Sequence, residues 1–269
     1  NPVVFHYVNT YHDKLSYMFL VYLSIGLYFL VFVLSLLSNL LGSLRRPTTF
    51  LMMLAFLVYI TYVIKLGIQV KSFPFADVYG FYSLLGNGML FFLTLLSLKL
   101  DYIRRFLALF AMLGVLWTLL LIPAEPSPYR SALYSLHVTF ALFSYAFAFF
   151  GGFSSLLRLF LESKLKHKTL QSFFLPLNIL RSAERFFIGM SFVFFTLTLI
   201  FGSLWSRSFF GKHWINDPKL IYVLFLWVYY ALLVHINLLM RIKPRSFSYG
   251  AIAGMVLSAL GLLFVRHEL

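Results

Sequence analysis

The chain has 269 residues, of which 61% are hydrophobic and only 11% are charged. Soluble domains carry about a quarter of charged residues, so this composition excludes a soluble enzyme or binding domain and predicts an integral membrane protein. The chain has no cysteine, which excludes disulfides and thiolate metal ligation. Basic loops that orient a membrane protein account for the net charge of +14, and we expect no nucleic-acid partner.

Eight apolar runs have the length of membrane-spanning helices, roughly 18 residues or more. The runs are continuous rather than alternating, which is typical of helices and not of barrel strands. We therefore predict an all-α, polytopic integral membrane protein whose residues 1–269 form a single transmembrane helical domain. The predicted spans are Leu15–Leu41, Thr48–Ile64, Val78–Leu98, Phe106–Ile122, Leu133–Phe160, Phe186–Trp205, Leu220–Met240 and Tyr249–Val265.

The cations are distributed unevenly between the two sets of loops that connect these spans. Most of the 22 lysines and arginines lie in the loops after the first, third, fifth and seventh spans. The positive-inside rule makes those loops cytoplasmic and places both termini on the external (periplasmic) side. The cations assigned to the cytoplasmic loops are Arg45, Arg46, Lys99, Arg104, Arg105, Arg158, Lys164, Lys166, Lys168, Arg181, Arg185, Arg241, Lys243 and Arg245.

One external loop, residues 203–219, concentrates aromatic and polar side chains between two membrane-length segments. It contains Trp205, His213, Trp214 and Asp217. A polar, aromatic loop of this kind is a candidate ligand site, although tryptophans at a membrane interface are also ordinary anchoring residues. Asp217 precedes a proline, an arrangement common at helix starts, so capping of the following helix is the alternative to a hydrogen bond with an imidazole.

Three histidines lie at positions where a ligand role is a reasonable hypothesis. His137 lies about a turn and a half inside the external end of the fifth span, and His267 lies at the external end of the eighth. His235 lies about sixteen residues into the seventh span, or about 24 Å below its external start. An ionisable side chain at that depth is costly without a partner, and neutral imidazole is a good axial ligand of haem iron. A hydrogen-bonded packing role is the alternative for each histidine.

Three segments resemble the cytochrome c assembly proteins of the CcsA, ResC and HemX type. The run from Ser135 to Thr139, which contains His137, resembles the external-histidine helix of this family. Trp205, Trp214 and the segment 217–219 resemble its tryptophan-rich external loop, known as the WWD domain, and the segment 73–79 carries a weaker likeness. The resemblance covers most of the second half of the chain.

The resemblance implies a haem-handling component of cytochrome c biogenesis that binds haem b, aids its export and delivers it to apocytochrome c, as part of a haem lyase. It implies a ResB- or CcsB-like membrane subunit as partner and a location in the bacterial plasma membrane. By position, His137 and His267 match the axial ligands of the external haem, and His235 matches a second site within the membrane. Trp205, Trp214, Asp217 and His213 then contact the haem, and the candidate partners of its propionates are Lys212, Lys219, Arg130 and Arg266.

The loop departs from the family pattern, and two alternative functions follow. Residues 210–220 lack two of the usual tryptophans and the final glutamate, and His213 occupies the usual tyrosine position. This favours, as an alternative, a HemX-like regulator or assembly subunit without lyase activity. A third possibility is a b-type haem or quinone redox subunit, but the chain lacks paired histidines within each of two helices.

Overall fold

The structure is a computed structural model that describes residues 14–41, 45–166, 176–240 and 242–265. Nine helices lie wholly within the described residues, which, apart from an isolated bridge between Phe75 and Pro126, contain no β-structure. The chain divides into two compact units, Asn1–Ala132 and Leu133–Leu269. The helices are α1 (Met18–Leu41), α2 (Arg45–Val70), α3 (Val78–Lys99), α4 (Asp101–Arg104), α5 (Leu107–Leu119), α6 (Ala132–Lys166), α7 (Leu177–Phe210), α8 (Pro218–Met240) and α9 (Pro244–Phe264).

Among the described residues, seven helices are long and apolar enough to cross a membrane, which confirms the predicted all-α polytopic class. The exception is the predicted fourth span, Phe106–Ile122, where α5 has only 13 residues. A helix of that length rises about 20 Å, less than the roughly 30 Å of a bilayer core. Single turns follow α5, with the amides of Leu121 and Ile122 bonded to carbonyls three residues back, and Pro123 follows them.

A buried hydrogen-bond network joins three helices of the first unit. The Tyr28 hydroxyl donates to Asn87 Oδ1 over 3.0 Å, and the Thr118 hydroxyl donates to the same oxygen over 3.4 Å. The Asn87 amide in turn donates to the Ser83 carbonyl over 3.1 Å. Buried polar groups are costly without such partners, so these bonds fix how α1, α3 and α5 face one another.

The segment 73–79, which carries the weaker family likeness, is a structural junction in the first unit. Asp77 caps α3 by accepting from the Gly80 amide over 2.9 Å and also accepts from the Glu125 amide over 2.8 Å. The buried Lys14 ammonium donates to the carbonyls of Ile122 and Ala124. Burial raises the pKa of Asp77 and lowers the pKa of Lys14, while the attraction between the two charges opposes both shifts.

A buried ion-pair network joins α6, α7 and α9 in the second unit. Arg158 Nε lies 3.1 Å from Glu184 Oε1, and the Ser155 and Ser248 hydroxyls donate to Glu184 Oε2 over 2.9 and 2.5 Å. A second Arg158 nitrogen donates to the Pro244 carbonyl over 2.6 Å. The assignment of Arg158 to a basic loop was therefore wrong, because the residue lies within α6, is 5% exposed and neutralises a buried carboxylate.

Candidate functional site

The position of His137 is set by a hydrogen bond to the neighbouring helix. Its side chain is half-buried on α6, and Nδ1 lies 2.9 Å from the backbone carbonyl oxygen of Thr198 on α7. A carbonyl only accepts hydrogen bonds, so Nδ1 carries the proton. The lone pair of the neutral ring is then on Nε2, which is the nitrogen able to bind a metal.

Trp205 forms an aromatic wall beside this imidazole. Its indole is 6% exposed and lies nearly parallel to the His137 ring, with centroids 6.4 Å apart and an angle of 8° between the planes. Phe209 stacks on the indole at 5.6 Å, and Tyr134 contacts it at 5.4 Å. These contacts hold Trp205 in the second unit and restrict the orientation of the imidazole next to it.

Gly202 provides the space in which the His137 ring lies. A Cβ at position 202 would be 2.7 Å from Nδ1 and 2.8 Å from Cε1 of His137, well inside van der Waals contact. Sequence reasoning missed Gly202 and Thr198 as site residues. Their spacing relative to Trp205 was an available signal, because positions 198, 202 and 205 are four and three residues apart and share one face of a helix.

The polar loop is shorter than the predicted 203–219 because α7 continues to Phe210. Gly211 ends the helix in the left-handed region with φ of 75°, and its amide bonds to the Arg207 carbonyl over 3.0 Å. His213 folds back onto α7, with Nδ1 3.1 Å from the Ser203 hydroxyl and Nε2 3.1 Å from Arg207 Nη1. Arginine only donates, so Nε2 accepts, and both ring nitrogens are bonded within the chain.

The remaining loop residues define how α8 begins. Asp217 is 3% exposed and accepts from the Leu220 amide over 3.0 Å, so it acts as the helix cap. The Lys219 ammonium donates to the carbonyls of Gly261 and Val265, over 2.6 and 2.9 Å, at the carboxyl end of α9. Trp214, in contrast, is 49% exposed.

His235 lies far from the start of α8 and faces outward. It is exposed, its Nδ1 donates to the Ala231 carbonyl over 2.7 Å, and its ring contacts the edge of Phe192 at 5.7 Å. Its position is about 26 Å from Pro218 along the helix and about 8 Å from Met240. His267 and Arg266 lie outside the described residues.

The structure thus brings the rings of His137 and Trp205 side by side. His213 contacts the same turns of α7 through Ser203 and Arg207, which lie on a different helix face from Gly202 and Trp205. His235 lies towards the opposite end of α8. Within the described ranges, no three histidine or carboxylate side chains converge as a metal centre.

Comparisons with known proteins identify a family that the chain matches. The sequence profile described as "Cytochrome C assembly protein" matches residues 15–269. The "Cytochrome c biogenesis protein CcsA" of Cyanidium caldarium is 26% identical over 163 residues, which cover 51% of this chain and 53% of that protein. The protein of the same name from Chlamydomonas reinhardtii is 32% identical over 120 residues, covering 42% of this chain and 33% of its own length. The chain thus spans about half or less of these relatives.

A solved structure has the same fold. "Cytochrome c Heme Lyase CcmF" superposes with a TM-score of 0.59 and 16% identity, over 95% of this chain and 47% of that one. At this identity the likeness shows the fold alone. The sequence profile, however, matches nearly the whole chain, and the chain therefore belongs to the cytochrome c assembly protein family.

Proposed function

We propose that this chain is a haem-handling component of cytochrome c biogenesis that binds haem through His137 and aids its export and delivery to apocytochrome c. Membership of the cytochrome c assembly family supports the process. The observation that carries the proposal for this chain is the bond between His137 Nδ1 and the Thr198 carbonyl. Histidines that ligate metals usually donate their other ring N–H to such an acceptor, which fixes the tautomer and orients the ring.

The residues around His137 fit an axial haem ligand. Gly202 leaves the space that the His137 ring occupies, and Trp205 lies beside the imidazole and limits its rotation. Haem is cargo here, and its vinyl groups supply the carbons to which the cysteine thiols of an apocytochrome add. Since this chain has no cysteine, all of those thiols belong to the apocytochrome.

The other ligand assignments extend this proposal. We assign His267 as the second external axial ligand and haem b as the cargo, and His235 as the ligand of a site within the membrane. Because His235 is exposed on α8, a ResB- or CcsB-like subunit is the proposed source of the opposite ligand. Trp214, Asp217 and His213 are proposed to contact the haem from the loop.

Two of the candidate propionate partners, Lys219 and Lys212 of the second unit, differ in their surroundings. Lys219 already donates to two carbonyls of α9, whereas the Lys212 side chain is exposed at the start of the loop. We therefore favour Lys212. Orientation is proposed from charge, with the end of the second unit that carries His137 on the external side of a bacterial plasma membrane.

A maturation assay tests the function. In a strain that depends on this chain, His137→Ala is expected to abolish haem-stained c-type cytochromes, while immunoblots show normal levels of the variant. The matched control is Tyr249→Ala, which truncates an exposed aromatic side chain of the second unit that is not among the proposed haem contacts. If His137→Ala matures cytochromes as well as wild type does, the HemX-like regulatory role replaces the proposal.

A further inference from the structure

We propose that the amino-terminal part of α7 is a binding site for an anionic phospholipid, with Arg181 and Arg185 holding the phosphate and an apolar groove holding an acyl chain. This site is independent of the proposed haem function. It lies towards the opposite end of α7 from Trp205.

The length of α7 places the two arginines at the level of lipid headgroups. The helix has 34 residues, or about 50 Å, against a hydrocarbon core of about 30 Å. The continuous apolar run within it is 186–205. Arg181 and Arg185 immediately precede that run. When the run spans the hydrocarbon core of the bilayer, their guanidinium groups therefore lie at the level of the lipid phosphates.

Both arginines carry charge that the described part of the chain does not neutralise. Each is exposed, and they are four residues apart on one side of α7. Glu184 lies between them in sequence but points into the bundle, where Arg158 pairs with it at 3.1 Å. The ion pairs among the described residues include neither Arg181 nor Arg185.

An apolar groove runs along α7 beside the arginines. The groove is shallow and open, and its apolar lining residues Ile179 and Phe186 are 52% and 58% exposed. Helical geometry places its two polar lining residues on the edge next to Arg181 and Arg185. The groove has a volume of about 400 Å³ and is lined, among the described residues, by Asn178, Ile179, Ser182, Ala183, Phe186 and Phe187.

The combination of charge and groove selects an anionic phospholipid over a free anion or a neutral lipid. Guanidinium groups bind phosphate through paired hydrogen bonds, and the negative headgroup complements two unpaired cations. Each basic residue near an anionic membrane surface contributes about fivefold to binding, so the pair contributes about 25-fold. The apolar floor adds contacts that inorganic phosphate lacks.

The test is a titration of the full chain, purified in a neutral detergent, with phosphatidylglycerol and with phosphatidylcholine, read by native mass spectrometry. We expect Arg181→Gln/Arg185→Gln to bind phosphatidylglycerol about 25-fold more weakly, and each single variant about fivefold more weakly. The matched control is Lys164→Gln/Lys166→Gln, which removes the same charge from the end of α6 and is expected to change the affinity less than threefold. Ala183→Phe is expected to weaken binding by filling the groove without changing charge.

Several results would overturn the site. If Arg181→Gln/Arg185→Gln and Lys164→Gln/Lys166→Gln lose equal affinity for phosphatidylglycerol, diffuse surface charge is responsible for the binding. Wild-type affinity in the arginine pair, or equal binding of the two lipids, would show that the arginines do not select the headgroup. Displacement of phosphatidylglycerol by an equal concentration of inorganic phosphate, or unchanged binding to Ala183→Phe, would show that no acyl chain occupies the groove.

Discussion

The Gly202→Ala substitution is expected to disturb the geometry of the His137 site while leaving the stability of the bundle nearly unchanged. The new Cβ would lie 2.7 Å from His137 Nδ1, whereas ordinary contacts begin at 3.4 Å, so the ring must retreat by about 0.7 Å. That movement breaks the 2.9 Å bond to the Thr198 carbonyl. The lost bond costs about 1 kcal/mol, but replacing a helix-interior glycine by alanine recovers about 1 kcal/mol. The free energy of unfolding therefore changes little.

Haem affinity, in contrast, is expected to fall about 10- to 100-fold, the usual cost of disturbing the group that orients a metal-bound histidine. The assay is a haem titration of the purified chain followed by Soret absorbance. Gly189→Ala is the matched control, because it lies on the same helix and its Cβ would meet nothing within 4 Å. If both variants bind haem equally well, the orientation of His137 by Thr198 and Gly202 does not matter for binding and the reasoning is refuted.

Two further predictions concern the scaffold. Glu184→Gln leaves the buried Arg158 with only the partly exposed Glu162, 3.5 Å away, as a counter-charge. It is expected to lower the free energy of unfolding in mixed micelles by about 3 kcal/mol, whereas Arg245→Gln, at an exposed pair, has a small effect. Equal effects would contradict the burial argument. Asp217→Ala removes the cap of α8 and is expected to cost about 1 kcal/mol, while Asp217→Asn keeps it. Loss of haem binding by a stable Asp217→Asn protein would show that the carboxylate contacts the ligand rather than only capping.

Run length and hydropathy predicted the existence of the helices better than their ends. The predicted span Phe186–Trp205 lies within α7, which extends further at both ends. The extensions contain Arg181, Arg185 and Arg207, whose charges end a hydropathy run although they do not end a helix. The fourth predicted span contains enough apolar residues, but its final residues form single turns instead of α-helix.

The candidate site was only partly accessible from the sequence. His137 and Trp205 are conspicuous residue types, and the structure places their rings side by side. Thr198 acts through its backbone carbonyl and Gly202 through the absence of a side chain, so neither carries a chemical signature in the sequence. Thr198 and Gly202 act on the site only because α6 packs against α7 and brings the His137 ring next to them. The pairing of His137 with His267 stays a prediction, since His267 lies outside the described residues.

The most direct measurement is the optical spectrum of the full chain, purified with its haem, for wild type and for His137→Ala with and without added imidazole. If His137 is an axial ligand through Nε2, the wild type has a Soret band, the variant loses or shifts it, and imidazole restores it. An identical spectrum in the variant, or a wild type that matures cytochrome c but binds no haem, would contradict the account.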